Sequence, residues 1–531
     1  QIVENKKVDR KSRQRVIATV GRLDEIQDKG RIEPLIRSLS RFSEKTLMVL
    51  SGQSEPDVAA YKIGPALIFE RLWKETGIRR SILDHLSERG FQFDVERAIF
   101  LTVLHRLMVS GSDRFCDQWR RDYRIENTDG LDLHHLYRAM GWLGEELEDQ
   151  VDAMPFAPRC NKDLIEESLF GFRRHLFSSL DLVFFDTTSI YFEGEGGDIG
   201  QRGFSKDHRP DLNQMVVGAV IDDAGMPICC EMWPGNTADV KTLLPVMNRL
   251  RERFQIRSVC IVADRGMISD STLKVLEDPK DPISYILGVR MRKTKDVRLD
   301  VLSTGGRYQE VYPELSSSRE PAPLKVKEVF FKGTRYIVCV NARQSRKEAH
   351  ARESIIEALK EKLTKGPKSL VGNKGYRKYL KLDRGGLRID EDKIKADARF
   401  DGKWVLRTNT SLSAAQAALK YKELWKVERT FRDVKTLLST RPIYHQKDAN
   451  IRGHVFCSFL ALVLRKELER RLNAKGHEFE WSQIKQDLKA LQTVAIEDNG
   501  KRFAIRSRCE GICATIFQSC GVAIPPTIRE V

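Results

Sequence analysis

Across residues 63–144 apolar side chains recur at helical spacing: Leu67, Ile68, Leu72 and Trp73, then Ile99, Leu101, Leu104 and Leu107. One apolar stripe on a 3.6-residue period predicts an all-helical unit there. Near Leu180 the texture changes to short apolar runs bounded by turn residues, the pattern of buried strands. Leu182-Val183-Phe184-Phe185 runs into Asp186, and Val259-Cys260-Ile261-Val262-Ala263 runs into Asp264. Between them, residues 215–221 and 228–233 flank Asp222-Asp223-Ala224-Gly225, which reads as a hairpin with an Asp/Gly turn. Leu243, Leu244, Val246, Met247 and Leu250 give a helix face, Leu273, Val275 and Leu276 a second, and residues 285–289 another strand. Strand, hairpin, helix, strand, helix, strand is an α/β order with a mixed sheet.

Residues 291–400 interrupt this order. They are rich in Lys, Arg and Gly, with strand-like pieces at 326–331 and 336–340, a helical piece at 343–363 and a basic run at 372–379 with interleaved aromatics. The α/β pattern resumes at Trp404-Val405-Leu406 and leads into a long helix over about 414–438, followed by a second over 455–472. The expected organisation is a basic N-terminal segment (1–45), a helical unit for DNA binding or dimerisation (46–178), an α/β domain (179–290 and 401–445), a β-rich insertion (291–400) and a C-terminal helical region (446–531).

Charge narrows the partners. The chain's 531 residues include 91 Lys+Arg against 75 Asp+Glu, a formal net charge of +16. A surplus of that sign suits a polyanion, because Lys and Arg gain affinity by displacing counterions from phosphates. The longest apolar stretch, 455–464, is about half of the roughly 20 residues a membrane span needs, and no short charged-then-apolar leader opens the sequence, so neither a membrane anchor nor a signal peptide is expected. The ten cysteines lack paired CxxC spacing and read as reduced core thiols.

Asp186 and Asp264 each follow a strand too apolar to lie outside a sheet interior. Ligands gather at the C-terminal edge of such sheets, and two carboxylates delivered there repel unless a cation sits between them. The helix over 414–438 supplies a third acid. Leu424, Val427, Phe431, Val434 and Leu438 form its apolar stripe. At 100° per residue, Tyr421, Glu428 and Lys435 align beside that stripe, while Lys426, Arg429 and Asp433 fall on the outer side.

Taken together these features resemble the DDE transposases of bacterial insertion sequences, which have an RNase H-like catalytic domain. The resemblance rests on Phe185-Asp186-Thr187-Thr188, on Val262-Ala263-Asp264-Arg265-Gly266 and on a third motif similar to the Y-x2-R-x3-E-x6-K signature of the insertion sequence 4 group. Tyr421, Glu428 and Lys435 match that signature, and Leu424 stands where it has Arg. The loops Gly203-Phe204-Ser205-Lys206-Asp207-His208-Arg209-Pro210-Asp211 and Pro234-Gly235-Asn236-Thr237-Ala238-Asp239 also look like the group's. The resemblance implies catalytic and metal-holding roles for Asp186, Asp264 and Glu428, with two Mg²⁺ ions that Mn²⁺ can replace, and strand transfer without a nucleotide cofactor. It implies phosphate contacts from Tyr421 and Lys435, with Arg429 or Arg432 standing in for the missing Arg.

Further DNA contacts are expected from Lys206, His208, Arg209 and Arg265, from Lys374 and Arg377 along the backbone, and from His445. Trp233 is a candidate for stacking on an unpaired base, with core packing as the alternative. The implied partners are double-stranded DNA, both terminal inverted repeats and target, and a second copy in a homodimer; the implied location is cytoplasmic, on the nucleoid. An RNase H-like nuclease without strand transfer, or a domesticated, non-catalytic DNA-binding protein, would also suit these residues.

Overall fold

The computed structural model describes residues 2–8, 11–18, 58–87, 89–151, 153, 157–173, 181–256, 259–312, 323–364, 378–383, 386–437, 440–498 and 501–530. Two strands, β1 (Ile2–Val8) and β2 (Lys11–Ala18), form an antiparallel pair at the start. After β3 (Val58–Lys62) comes the helical run read from the sequence: α1 (Gly64–Glu75), α2 (Ile78–Leu86), α3 (Val95–Met108), α4 (Asp113–Trp119), α5 (Leu133–Leu143) and α6 (Asn161–Arg173). Asp94 and Ser112 cap α3 and α4 by accepting from backbone N–H groups three residues on.

The α/β part follows as β4 (Asp181–Tyr191), β5 (Gln214–Asp222), β6 (Pro227–Pro234), α7 (Leu243–Glu252), β7 (Val259–Ala263), α8 (Asp270–Leu276) and β8 (Ser284–Gly288). β4 pairs antiparallel with β5 and parallel with β7, β5 pairs antiparallel with β6, and β7 pairs parallel with β8. This is the mixed sheet expected from the sequence. Alternation along β4 sorts its side chains onto two covered faces. Val183 and Phe185 join Leu243, Val246, Met247 and Leu250 of α7 in one apolar core. Leu182 and Phe184 join Val262, Ile286, Val427 and Phe431 in the other. Full burial of each such side chain contributes about 1.5–3 kcal/mol.

Residues 291–400 add β9 (Gln309–Val311), β10 (Leu324–Phe331), β11 (Thr334–Asn341), α9 (Ala342–Thr364), β12 (Leu380–Asp383), β13 (Gly386–Ile389) and α10 (Glu391–Ala398). β14 (Lys403–Thr408) lies between β8 and β11, so the first three of these strands extend the main sheet to nine, in the order β6-β5-β4-β7-β8-β14-β11-β10-β9. A central β14 would otherwise leave an open edge, which sheets are built to cover. The β12–β13 hairpin forms a sheet of its own.

The single helix expected over 414–438 is broken. α11 (Ala414–Lys422) and α12 (Trp425–Arg432) are followed by a wide turn over Asp433–Leu437. At the break Lys426 and Val427 donate to the carbonyls three residues back, tightening the chain, and Glu423 pairs with Lys420 and Lys426 on either side. Val427, Phe431 and Val434 are buried as expected, whereas Leu438 lies outside the described residues. Asp433, placed on the outer side by ideal helical spacing, is buried 3.3 Å from Arg465; the broken helix and wide turn no longer follow a 100° step.

The last elements are α13 (Asp448–Asn473), α14 (Trp481–Ala490), β15 (Gln492–Asp498), β16 (Lys501–Arg506), α15 (Cys513–Cys520) and β17 (Ile528–Glu530). α13 packs on α1, α3 and α5, and β15 pairs with β3, so the helical run after β3 and the C-terminal elements share one core. Arg106 on α3 ties the helices by donating to the His454 carbonyl and the Ser458 hydroxyl on α13. All ten cysteines are free thiols, nine of them buried. Among the described residues no helix is long and apolar enough to cross a membrane.

Candidate active site

β7 ends where Ala263 pairs with Phe185 in parallel register. Asp264 and Asp186 are therefore the next residues on adjacent strands. Asp186 lies inside β4 rather than at its end, as the sequence reading had it, because β4 runs on to pair with β5 as far as Tyr191. By alternation Asp186 shares a face with Leu182 and Phe184, the face that α12 covers through Val427 and Phe431. Glu428 directly follows Val427 and is exposed, its carboxylate with no hydrogen-bond or ion-pair partner among the described residues.

Electrostatics mark this edge. Asp186 accepts from the Thr187 backbone N–H at 2.7 Å. Burial pushes its carboxyl up to about 6, with Asp264 and Asp239 adding repulsion and Lys206 and the Thr187 N–H opposing the rise. Tyr421 donates its hydroxyl to Asp264 Oδ1 at 3.1 Å, and burial with this carboxylate raises the phenol. Gly288 makes room for that contact: a Cβ there would lie 2.2 Å from the Tyr421 hydroxyl. Arg290 steadies the turn after Asp264 by donating to the carbonyls of Arg265 and Gly266.

The sequence assigned no role to Asp239. Its carboxylate accepts from Thr187 Oγ1 at 2.7 Å and pairs with Lys206 at 3.1 Å, beside Asp186. It belongs to a loop marked by resemblance, but no periodicity or spacing singles it out. Lys206 also donates to the Thr187 carbonyl at 2.7 Å. The loop that carries Lys206 is held backbone against backbone, since a Cβ on Gly203 would fall 1.9 Å from the Gly235 carbonyl oxygen.

The other candidates separate clearly. Lys435 reaches Asp207 at 2.7 Å, and Arg441 binds the same oxygen at 2.5 Å. Burial lowers the Lys435 ammonium, and Asp207 opposes the shift. His208, Arg265, Arg429 and Arg432 are exposed, and Arg209 is half-buried and paired with Asp211. Trp233 is 1% exposed in the core beneath the sheet, so it presents no face to a base; its strand has apolar neighbours on both sides. His445 lies near Asp113, away from the acids. Lys374 and Arg377 lie outside the described residues.

The family model described as "Transposase DDE domain" matches residues 178–464, more than half of the chain. The chain belongs to the DDE transposase family. A second model, "IS1634 family transposase, N-terminal domain", matches residues 1–55. This transposase is thus of insertion-sequence type, but the insertion sequence 4 group inferred from the third motif is not upheld, since the N-terminal match is to a different family. Leu424 was already a departure from that group's signature. Among curated proteins nothing matches. Among solved structures, a "Cryo-EM structure of piggyBac transposase synaptic complex with hairpin DNA (SNHP)" aligns at a TM-score of 0.35 and 10% identity, over 80% of this chain and 79% of that one. So loose a superposition decides nothing further.

A DDE transposase domain implies use of a divalent metal. The donors fit a hard cation: an all-carboxylate set, with Asp186 desolvated and crowded by like charge. Among the described residues, Asp186, Asp264 and Glu428 are not a trio whose ligand atoms all fall within 4.8 Å; Asp113–His445–His454 and Asp132–His134–His135 are. The first of those is a hydrogen-bond cluster. His454 Nδ1 faces Arg106 at 2.9 Å and its Nε2 faces the Thr440 carbonyl at 3.1 Å, leaving no lone pair for an ion.

Proposed function

We propose that this transposase cuts DNA at the ends of an insertion sequence and joins the freed 3′-OH to target DNA, with Asp186, Asp264 and Glu428 as the acids that hold two Mg²⁺ ions. The observation that carries the reading is the adjacency of Asp186 and Asp264 on the face covered by the Glu428 helix, where carboxylates outnumber cations. Mg²⁺, or Mn²⁺ in its place, would supply Lewis-acid stabilisation of the phosphorane-like charge and a more acidic attacking hydroxyl.

The protein's own groups supply orientation. Tyr421 holds Asp264 in one rotamer by its hydroxyl. Lys206 and Thr187 hold Asp239 beside Asp186, so that acid tunes the charge of the site. Lys435 and Arg441 share one buried carboxylate, Asp207, and exchange it for a DNA phosphate when substrate arrives. Arg265, Arg429 and Arg432 offer exposed positive charge along the approach, and His208 an exposed imidazole. Phosphodiester exchange conserves bond energy, so no nucleotide cofactor is needed. The substrate is double-stranded DNA, the working form a homodimer that brings two ends together on the nucleoid, and the helical units at the two chain ends serve end binding and dimer contact.

The test is a cleavage and joining assay with a terminal-repeat duplex, target plasmid and Mg²⁺. Nicking and joining by the wild type, and neither by Asp264→Ala or Glu428→Gln, is the expected result. Undiminished strand transfer by Asp264→Ala would sink the mechanism, and nicking without joining by the wild type would favour the nuclease reading.

A further inference from the structure

Lys206 reaches the acids from an anchored loop. Its backbone N–H donates to Ser189 Oγ at 2.8 Å, which ties the loop to β4. Its ammonium carries three protons, and three oxygens surround it: the Thr187 carbonyl at 2.7 Å, Thr187 Oγ1 at 2.7 Å and Asp239 Oδ2 at 3.1 Å. Thr187 Oγ1 in turn donates to Asp239 Oδ1 at 2.7 Å, so the hydroxyl is shared between the ammonium and the carboxylate. Asp186 directly precedes Thr187 and accepts from its N–H. On the other side a Cβ on Gly266 would lie 3.6 Å from Asp239 Oδ2, which sets the pair against the turn that follows Asp264.

Oxygen donors on every side are what a hard cation takes, and here the chain brings the positive charge itself. Among the described residues no other side chain forms an ion pair with Asp186, Asp239 or Asp264. Of the charges that act on Asp186, Lys206 is the strongest that favours its ionised form. The hold is built to be released. The Lys206 side chain is 28% exposed, and lysine is a compact charge on a flexible four-carbon stem. A cavity of about 270 Å³ opens beside it, lined by Lys206 and Asp239 together with Phe204, Thr237, Gly266 and Arg290. The stem has room to turn there without disturbing the loop backbone.

We infer that Lys206 is the site's own counter-ion: its ammonium supplies the charge that a divalent cation takes over, and metal binding has to displace it from Thr187 and Asp239. The inference rests on the metal-holding role proposed for Asp186 and Asp264. Held this way, the ammonium offsets the repulsion among the three carboxylates. It also sets a threshold, because an incoming cation must compete with a positive charge already in place. At the effective dielectric that suits protein sites, a unit charge a few ångströms away lowers cation affinity by about 5–10-fold. A divalent ion interacts with the same carboxylates about twice as strongly as an ammonium does, so the exchange runs toward the metal.

The experiment titrates Mn²⁺ into the full chain by calorimetry, without DNA. Lys206→Gln and Lys206→Met should each bind Mn²⁺ about 5–10-fold more tightly than the wild type, while Lys206→Arg, which keeps the charge, should stay within about twofold of it. Lys274→Met, on the exposed side of α8, removes the same charge elsewhere and should match the wild type. Should one neutral variant fail to fold, the other carries the comparison. A lysine that merely braced the loop would, when replaced, cost stability and leave the Mn²⁺ isotherm unchanged or weaker. That result in a folded Lys206→Gln, with Asp264→Ala still abolishing Mn²⁺ binding, overturns this inference and leaves the metal site standing. Mn²⁺ binding that is the same in Asp264→Ala as in the wild type removes the proposed metal site and this inference with it.

Discussion

Asp163, Glu166 and Glu231 form as acidic a group as Asp186, Asp239 and Asp264, yet the two trios are held in different ways. The first is buried between α6, α7 and β6. Arg249 reaches Asp163 at 2.7 Å and Glu166 at 2.6 Å and also binds Glu231, while Lys162 lies 2.7 Å from Asp163. Glu166 accepts from the Cys230 backbone N–H and Lys162 donates to the Cys230 carbonyl, so helix and sheet are stitched together. Every acid there has a fixed cation. Among the described residues the second trio has Lys206 alone as an ion-pair partner, and the Glu428 carboxylate has none. The structural group brings its counter-charges with it, and the second leaves its charge open, as the metal-holding role proposed for Asp186 and Asp264 requires.

Substitutions separate the two most strongly at Asp186. Asp186→Asn should reduce DNA cleavage by about 10²–10³-fold, the size of loss seen when one group leaves a charge-stabilising site, while the melting temperature stays level or rises. A melting temperature that falls as activity does would place Asp186 with the structural trio. Arg249→Met should do the reverse. Removing one partner from a buried ion network costs about 3–5 kcal/mol, so chemical denaturation should register a large loss of stability. A variant as stable as the wild type would erase the distinction.

Gly288→Ala sharpens the picture of the open site. Its methyl group would displace the Tyr421 hydroxyl from Asp264, and loss of a contact behind a metal ligand typically costs about 10–100-fold in metal affinity or activity. Tyr421→Phe should lose a similar or smaller factor, with the fold intact by circular dichroism. Equal activity in both variants would show that Asp264 needs no orientation.

The smallest effect is with pH. Asp186 is pushed up to about 6 in the folded protein, whereas an unfolded Asp titrates near ~3.9. The higher folded value means that folding disfavours the ionised form. The resulting destabilisation is absent below about pH 4 and complete above about pH 6. Metal-free protein should therefore lose stability as pH rises through that window, and Asp186→Asn should lose part of the dependence. Asp222, also held at about 6 by burial, supplies another part. Mn²⁺ affinity, followed by calorimetry, should rise across the same window in the wild type and not in Asp186→Asn.

Much of this was legible in the chain itself. The strand β7 was readable to the residue as Val259–Ala263, because five consecutive buried apolar residues ended by Asp and Gly leave little choice. The hairpin of β5 and β6 followed from its Asp/Gly turn, and the buried stripe of Val427, Phe431 and Val434 from its period. Local patterns of this kind depend on which side chains water excludes, and the sequence states them directly. The break at Glu423-Leu424 was not readable, since its causes are hydrogen bonds three residues back and not a Pro or Gly.

The sequence by itself determined most strands and helices of the α/β part, the two aspartates that its strands deliver and the family to which they belong, since these rest on short-range apolar period and on motif. Only the tertiary structure decided which charges meet. Asp239 comes to Asp186, Asp207 to Lys435 and Arg441, and Asp113 to His445 across long stretches of chain. It also decided that β11 closes on β14, that Trp233 is core, and that the helical run after β3 and the C-terminal elements share one core around α13. Coulombic and hydrogen-bond partners are chosen by proximity in space, and no spacing along the chain carries that information.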